Sequence, residues 1–406
     1  MQADVLIVGA GAAGAAAGRE LVRRGLRPLV LEARDRVGGR AWTDASAFGF
    51  PVDMGCSWLH SANVNPWMTY AREHGFTVRE RSPQWQRRIG ATETSEEHQA
   101  AWYGAFRRNE ELIAAAARAG RDVAVADVVP DDRHRPLFDC VMSWLMGVDT
   151  AQVSTLDYDR YADSDRNWSV VEGLGSVIAH AANALDVRLD TPVTSIDWSG
   201  KCVRLQTPRG AMEAPAVIVT APTTVLAEER IRFTPRAPAL LEACRGVPLG
   251  AANKVFIEMA PGALPYEGSV HFLGTDRSVR TASYQTRPLE REVLLAYFGG
   301  GFARELEERN ELESFALDEL AGIFGSEFRS QVRRIVHSEW TRDPWSRGAY
   351  SAALPGRAHL RERLTEPLGE RVFFAGEACS TDYFGTINGA WRTGVAAAAA
   401  VAQMRP

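Results

Sequence analysis

The first chemistry the chain offers is anion binding by a glycine turn. Gly9-Ala-Gly-Ala-Ala-Gly14 follows the β-branched run Asp4-Val-Leu-Ile-Val8 and opens an alanine-rich stretch with Leu21 and Val22 at helical spacing. In that setting Gly9 permits a tight turn, Gly11 lets the backbone approach a pyrophosphate, and Gly14 lets a helix pack close to the strand. Free N–H groups at the helix start, around Ala13, would point at the anion. Glu32 ends a second apolar run 18 residues beyond Gly14, where a carboxylate accepts hydrogen bonds from a ribose diol. The turn alone does not separate FAD from NAD. The next residues, Glu32-Ala-Arg-Asp-Arg-Val-Gly-Gly-Arg40, add a glycine pair and an arginine that can wrap the far side of a large pyrophosphate.

A second candidate is a lysine. Only Lys201 and Lys254 are lysine among 46 basic residues, so arginine dominates everywhere else. Lys201 falls in Ser199-Gly-Lys-Cys202 between two alternating runs, which predicts an exposed hairpin turn. Lys254 lies in the apolar strand Ala251-Ala-Asn-Lys-Val-Phe-Ile257, where an ammonium is costly to bury without a partner. Arginine, planar and permanently charged, could not take its place if the site needs a compact amine or one that loses its proton. The five cysteines (Cys56, Cys140, Cys202, Cys244, Cys379) are an odd set without paired spacing, which argues for free thiols and against a disulfide framework or a zinc site. No metal site is expected.

Five blocks, in order, resemble the flavin-containing amine oxidase family, in pattern closest to its polyamine oxidases. They are the opening stretch through Arg40, Asp53-Met-Gly-Cys-Ser-Trp-Leu-His60, Lys254, residues 340–351, and Gly376-Glu-Ala-Cys-Ser380 through Gly385-Thr-Ile-Asn-Gly-Ala-Trp391. The resemblance spans almost the whole chain and implies FAD. It places Gly9, Gly11, Ala13, Gly14, Glu32, Ala33, Arg34, Gly39 and Arg40 around the dinucleotide, with Val193 touching adenine through its backbone. Gly55, Ser57 and Trp58 are expected along the isoalloxazine, and Trp340, Gly376, Thr386 and Ile387 on the same cofactor wall. Glu377 would hold the ribityl chain. A helix starting near Asn388 would aim its positive end at the pyrimidine side of the ring. Lys254 would hydrogen-bond a water next to flavin N5. His60 matches the active-site histidine of animal-type polyamine oxidases, and an imidazole there can accept a hydrogen bond from a cationic substrate. Tyr350 matches one wall of an aromatic cage. Thr386 stands at the opposite wall, where monoamine oxidases carry an aromatic residue and some polyamine oxidases a threonine; Trp340 and Trp345 are the candidates for a missing face. Monoamine oxidases attach their flavin to a cysteine where this chain has Ala349, and Cys379 lies too far along to substitute. The resemblance therefore implies noncovalent FAD.

The elements that must position these residues read as α/β. Strands at Asp4-Val-Leu-Ile-Val8, Pro28-Leu-Val-Leu-Glu32, Ala216-Val-Ile-Val-Thr220 and Arg371-Val-Phe-Phe-Ala375 suit a buried parallel sheet, and a long helix is expected from about Gly389. Residues 80–165 show helical spacing, and residues 245–345 mix strands with a helix over about 305–324. The expectation is a Rossmann-type FAD-binding domain built from 1–80, 185–245 and 346–406. An interleaved α+β substrate-binding domain would come from 81–184 and 246–345. At 46% hydrophobic and 24% charged, the composition excludes disorder, collagen and coiled coil. The net charge of −5 with scattered basic residues argues against a nucleic-acid partner. The uncharged run 5–18 lacks a positive flank, and the alanine-rich tail falls short of the ~20 residues that span a bilayer, so a cytoplasmic chain without a membrane anchor is expected, as monomer or homodimer.

The expected reaction is oxidation of a small-molecule amine, a polyamine or secondary amine being favoured. It forms an imine that hydrolyses to aldehyde plus amine, with O2 reduced to H2O2. The rivals are a desaturase-type dehydrogenase of a non-amine substrate, an enzyme passing electrons to another acceptor, and a flavin-stabilised interaction protein. Asp157, Asp159, Asp163 and Asp165 are candidates for a polycation entrance, although a charge run is more often a solvated face.

Overall fold

In a computed structural model, residues 3–81 and 88–404 are described. A five-stranded parallel sheet runs in the order Val372–Phe374, Ala216–Val219, Val5–Val8, Pro28–Leu31, Val187–Arg188. Its central strands are buried at every residue, which is why they read as continuous apolar runs rather than alternating ones. Val5 and Ile7 pack against the helices Ala12–Arg23, Leu174–Asn183 and Ile387–Gln403. Leu6 and Val8 face the other way, into a layer that includes Ile196, Leu205 and Phe233 of a four-stranded sheet. In that sheet Ser195–Asp197 pairs antiparallel with Val203–Thr207, and Lys201 is exposed in the turn between them.

A seven-stranded sheet forms the second body, ordered Val332–His337, Ala252–Met259, Val293–Gly299, Ser283–Thr286, His271–Leu273, Arg88–Ile89, Thr92–Glu93. One face is covered by helices Gly300–Arg309 and Leu312–Phe324. A helical layer, Glu96–Arg118, Arg135–Met146 and the short Thr155–Asp159, closes the side.

Three local expectations need correction. The single helix over 305–324 is two helices, because Asn310 adopts a left-handed conformation (φ 56°) that asparagine tolerates better than most side chains. The stretch expected to be helical from residue 80 first forms a hairpin turning near Gly90, whose strand Arg88–Ile89 extends the seven-stranded sheet; residues 82–87 lie outside the described residues. The last helix begins at Ile387, two residues before Gly389. Among the described residues no helix is long and apolar enough to cross a membrane.

Candidate active site

A cavity of about 1060 Å³ begins at the carboxyl ends of the strands Val5–Val8 and Pro28–Leu31 and runs beneath the seven-stranded sheet. This edge is where open α/β sheets bind ligands. Its volume lies just above the ~300–1,000 Å³ range for one small molecule, leaving room for a dinucleotide together with a second ligand. Gly9, Gly11, Ala13, Glu32, Ala33, Arg34, Gly39, Arg40, Gly55, Ser57, Trp58 and His60 line it, as do Val193, Lys254, Trp340, Tyr350, Gly376, Glu377, Thr386 and Ile387. Gly14 does not. It sits beneath the turn, where a Cβ would meet Gly9 O at 2.0 Å.

The dinucleotide end fits the group expected there. A Cβ on Gly11 would approach no protein atom closer than 3.8 Å, so protein packing does not demand a glycine; the missing side chain instead bares the backbone to the cavity. No side chain caps the helix Ala12–Arg23 and no acid stands in its first turn, which suits an anion at its N-terminus. Glu32 is buried and held by Ala10 N at 2.8 Å and Arg34 N at 3.0 Å. The Arg34 guanidinium donates to Asp343 at 2.8 Å and Ser346 at 2.7 Å, which ties the loop carrying Trp345 to this end. Arg40 donates to Ala349 O and to Glu377 Oε1, both at 2.7 Å. Burial raises the Glu377 pKa, but Arg40, Ser351 and Arg361 outweigh it and hold the group ionised below its ordinary range.

Lys254 lies on the sheet face over the cavity. Strand register sets it opposite Tyr297, which is opposite Ser283, with Phe256, Leu295, Gln285 and His271 in the next row of the same face. All seven line the cavity, as period-two alternation requires. Lys254 is buried, and its Nζ donates to Asp53 O at 2.8 Å, to Gly55 O at 2.5 Å and to Ser57 Oγ. Desolvation lowers its pKa to about 8, only partly opposed by Asp53 and Cys56. Cys56 also lines the cavity, and burial pushes its thiol up to about 12. The Trp340 indole donates to Met54 O at 3.2 Å, and the Trp340 ring packs against Gly55.

His60 Nδ1 pairs with Asn167 Oδ1 at 2.7 Å, and burial lowers its pKa. With the amide oxygen as acceptor, Nδ1 carries the proton and Nε2 keeps its lone pair. The Tyr350 hydroxyl donates to Trp144 O and so accepts from Tyr297, 2.9 Å away. The Thr386 hydroxyl is committed as well. It donates to Tyr383 O at 2.6 Å and accepts from Gly389 N at 3.2 Å, capping the last helix.

The acidic run divides. Asp159, Asp163 and Asp165 line the cavity together with Glu110, a carboxylate that sequence reading missed. Asp157 does not face an entrance: it is 1% exposed and paired with Arg361. Sequence reading also missed Tyr297 and Arg361. Tyr297 could have been sought from the alternation of its strand, whereas nothing distinguishes Arg361 among the other arginines.

Comparisons with known proteins bear on the family and the fold. The family model described as flavin containing amine oxidoreductase matches residues 12–118 and 131–402. Polyamine oxidase 4 of Oryza sativa subsp. japonica is 28% identical, over 97% of this chain and 88% of that protein. The mouse lysine-specific histone demethylase 1B is 26% identical, over 98% of this chain but 53% of its own length. Among solved structures, cyclohexylamine oxidase from Brevibacterium oxydans superposes with TM-score 0.82 at 22% identity, covering 99% of both chains. A putrescine oxidase bound to putrescine gives 0.82 at 22% identity, over 98% of each.

Proposed function

The chain belongs to the flavin containing amine oxidoreductase family, and on that premise we propose that it oxidises a polyamine or other secondary amine using noncovalently held FAD. The product is an imine that water hydrolyses to an aldehyde and a shorter amine, and O2 is reduced to H2O2. When bound, FAD supplies the redox chemistry by accepting a hydride equivalent at flavin N5. The protein's part is to hold, orient and polarise.

In this reading the turn Gly9–Gly14 and the helix behind it receive the pyrophosphate, Glu32 takes the ribose diol, and Val193 meets adenine. Glu377, kept ionised by Arg40, takes the ribityl hydroxyls. The capped N-terminus of helix Ile387–Gln403 lends its positive end to the pyrimidine side of the ring. Gly55, Ser57 and Trp58 border the ring, and Lys254 spans from the sheet to that segment. Ala349, where an attaching cysteine would stand, and the protonated Cys56 thiol support a noncovalent cofactor. Segments 1–80, 185–245 and 346–406 form the FAD-binding domain, and 81–184 with 246–345 the substrate domain. Membership of the three larger sheets supports this division, except that helix Leu174–Asn183 packs on the parallel sheet and belongs with the FAD-binding domain.

Tyr350, buttressed by Tyr297, gives the amine an aromatic wall, and the His60 lone pair accepts a hydrogen bond from its N–H. The observation that carries the choice of polyamine is the set Glu110, Asp159, Asp163 and Asp165 on the wall of the same cavity that holds Lys254. A remote ammonium can rest there while the reactive carbon meets the flavin end. Anaerobic mixing with an amine panel tests this. Spermidine-like amines should bleach the yellow protein faster than benzylamine or an amino acid. Fast bleaching by benzylamine with no response to polyamines would overturn the choice of substrate, and no bleaching by any amine would overturn amine oxidation.

A further inference from the structure

A buried ion pair that the proposed reaction does not use links the two ends of the cavity. Asp157 and Arg361 are each 1% exposed; Nε meets Oδ1 at 2.7 Å and Nη2 meets Oδ2 at 2.6 Å. Two charges taken out of water persist only with good geometry and further hydrogen bonds. Both are present. Asp157 Oδ2 accepts Ala353 N at 2.8 Å, and Arg361 Nη1 donates to Ser351 Oγ at 2.8 Å and Ala378 O at 3.0 Å. The Ser351 hydroxyl in turn donates a hydrogen bond to Glu377 Oε2 at 2.6 Å, and Glu377 Oε1 accepts from Arg40 at 2.7 Å. The string Asp157, Arg361, Ser351, Glu377, Arg40 thus holds two positive and two negative charges in alternation.

The string ends at two different walls. Glu377 and Arg40 line the flavin end. Asp157 sits in the helical turn Thr155–Asp159, from which Tyr158, Asp159 and then Tyr161 line the amine end. The Arg361 guanidinium also lies 4.0 Å from the Phe384 ring, which packs edge-on against Tyr161. Ser351 directly follows Tyr350. An apolar pair would fill the space without fixing directions, whereas a guanidinium fork holds four partners in one plane.

We infer that Arg361 is a positioning residue that fixes Glu377 for the flavin side chain and, through Asp157 and Phe384, fixes the wall that receives the amine. The inference rests on the flavin reading. Two variants test it without removing the buried charge. Ser351→Ala severs the link to Glu377 and leaves the ion pair, while Arg361→Lys keeps the charge but loses the fork. Apo-protein is titrated with FAD by flavin fluorescence, its melting temperature is measured, and amine kinetics are taken at saturating FAD. Ser351→Ala should raise the FAD Kd about 10-fold as Glu377 loses its alignment, and the apo melting temperature should fall as well, because the lost bond to a charged group is internal to the apo-protein. Arg361→Lys should raise both the FAD Kd and the amine KM while kcat stays near wild type. Wild-type FAD affinity and KM in both variants overturn the inference alone. A wild-type protein that binds no FAD overturns the flavin reading and the inference with it.

Discussion

Replacing Lys254 by methionine sets two effects of known sign against each other. Burial lowers the lysine's pKa from 10.5 to about 8. At about 1.4 kcal/mol per unit the charged form is disfavoured in the fold by roughly 3 kcal/mol. The folded pKa lies below the unfolded one, so this cost is full below pH 8 and fades as pH rises towards 10.5, where the unfolded chain still holds the proton. Methionine removes the cost. It also abolishes the hydrogen bonds to Asp53 O, Gly55 O and Ser57 Oγ and leaves buried carbonyls unpaired, at about 1–3 kcal/mol for each group. The two carbonyls alone total about 2–6 kcal/mol against the roughly 3 kcal/mol relieved, so Lys254→Met should fold and retain FAD but melt below wild type. Chemistry should suffer more. Loss of a preorganised polar group at the reacting centre is worth about 2–4 kcal/mol, or roughly 30- to 1000-fold in rate. Stopped-flow bleaching by amine without oxygen, and recolouring by oxygen, separate the two half-reactions. One of them should slow by that factor, and the wild-type pH profile should carry an inflection near pH 8 that the variant lacks. Unchanged half-reactions, or an inflection that survives the substitution, would refute a role for Lys254 at the flavin.

Other predictions address the cofactor link, the acidic wall and the helix cap. Acid or heat denaturation should release all flavin as free FAD, since Ala349 offers no attachment; flavin remaining on the denatured chain would contradict this. Asp163→Asn and Asp159→Asn should each weaken polyamine binding several-fold at low salt and much less at high salt, where exposed charges are screened. Equal effects at both salt concentrations would remove these carboxylates from the substrate's path. Thr386→Ala should cost about 1 kcal/mol through the lost cap, read as a lower melting temperature, without changing the order of amines in the panel. A reordered panel would mean the hydroxyl serves the substrate.

Much of the cofactor end was legible in the sequence because its causes are local. A glycine turn between an apolar run and a helix, and a carboxylate at the end of the next strand, are placed by neighbours in the chain and by backbone geometry. Lys254 was legible for a related reason: an ammonium in an apolar strand of an arginine-rich chain declares its own desolvation. What the tertiary structure alone decided were the partners. Asp157 reads as one acid of a solvated run, yet it is neutralised by Arg361, 204 residues away. Thr386 reads as a cavity wall, yet its hydroxyl is spent on its own helix. Tyr297 meets Lys254 only through strand register, and Glu110 joins Asp163 only because a long helix packs beside the cavity. The electrostatic role of a side chain depends on what lies within a few ångströms of it, and for these residues that neighbourhood is assembled by folding rather than by sequence proximity.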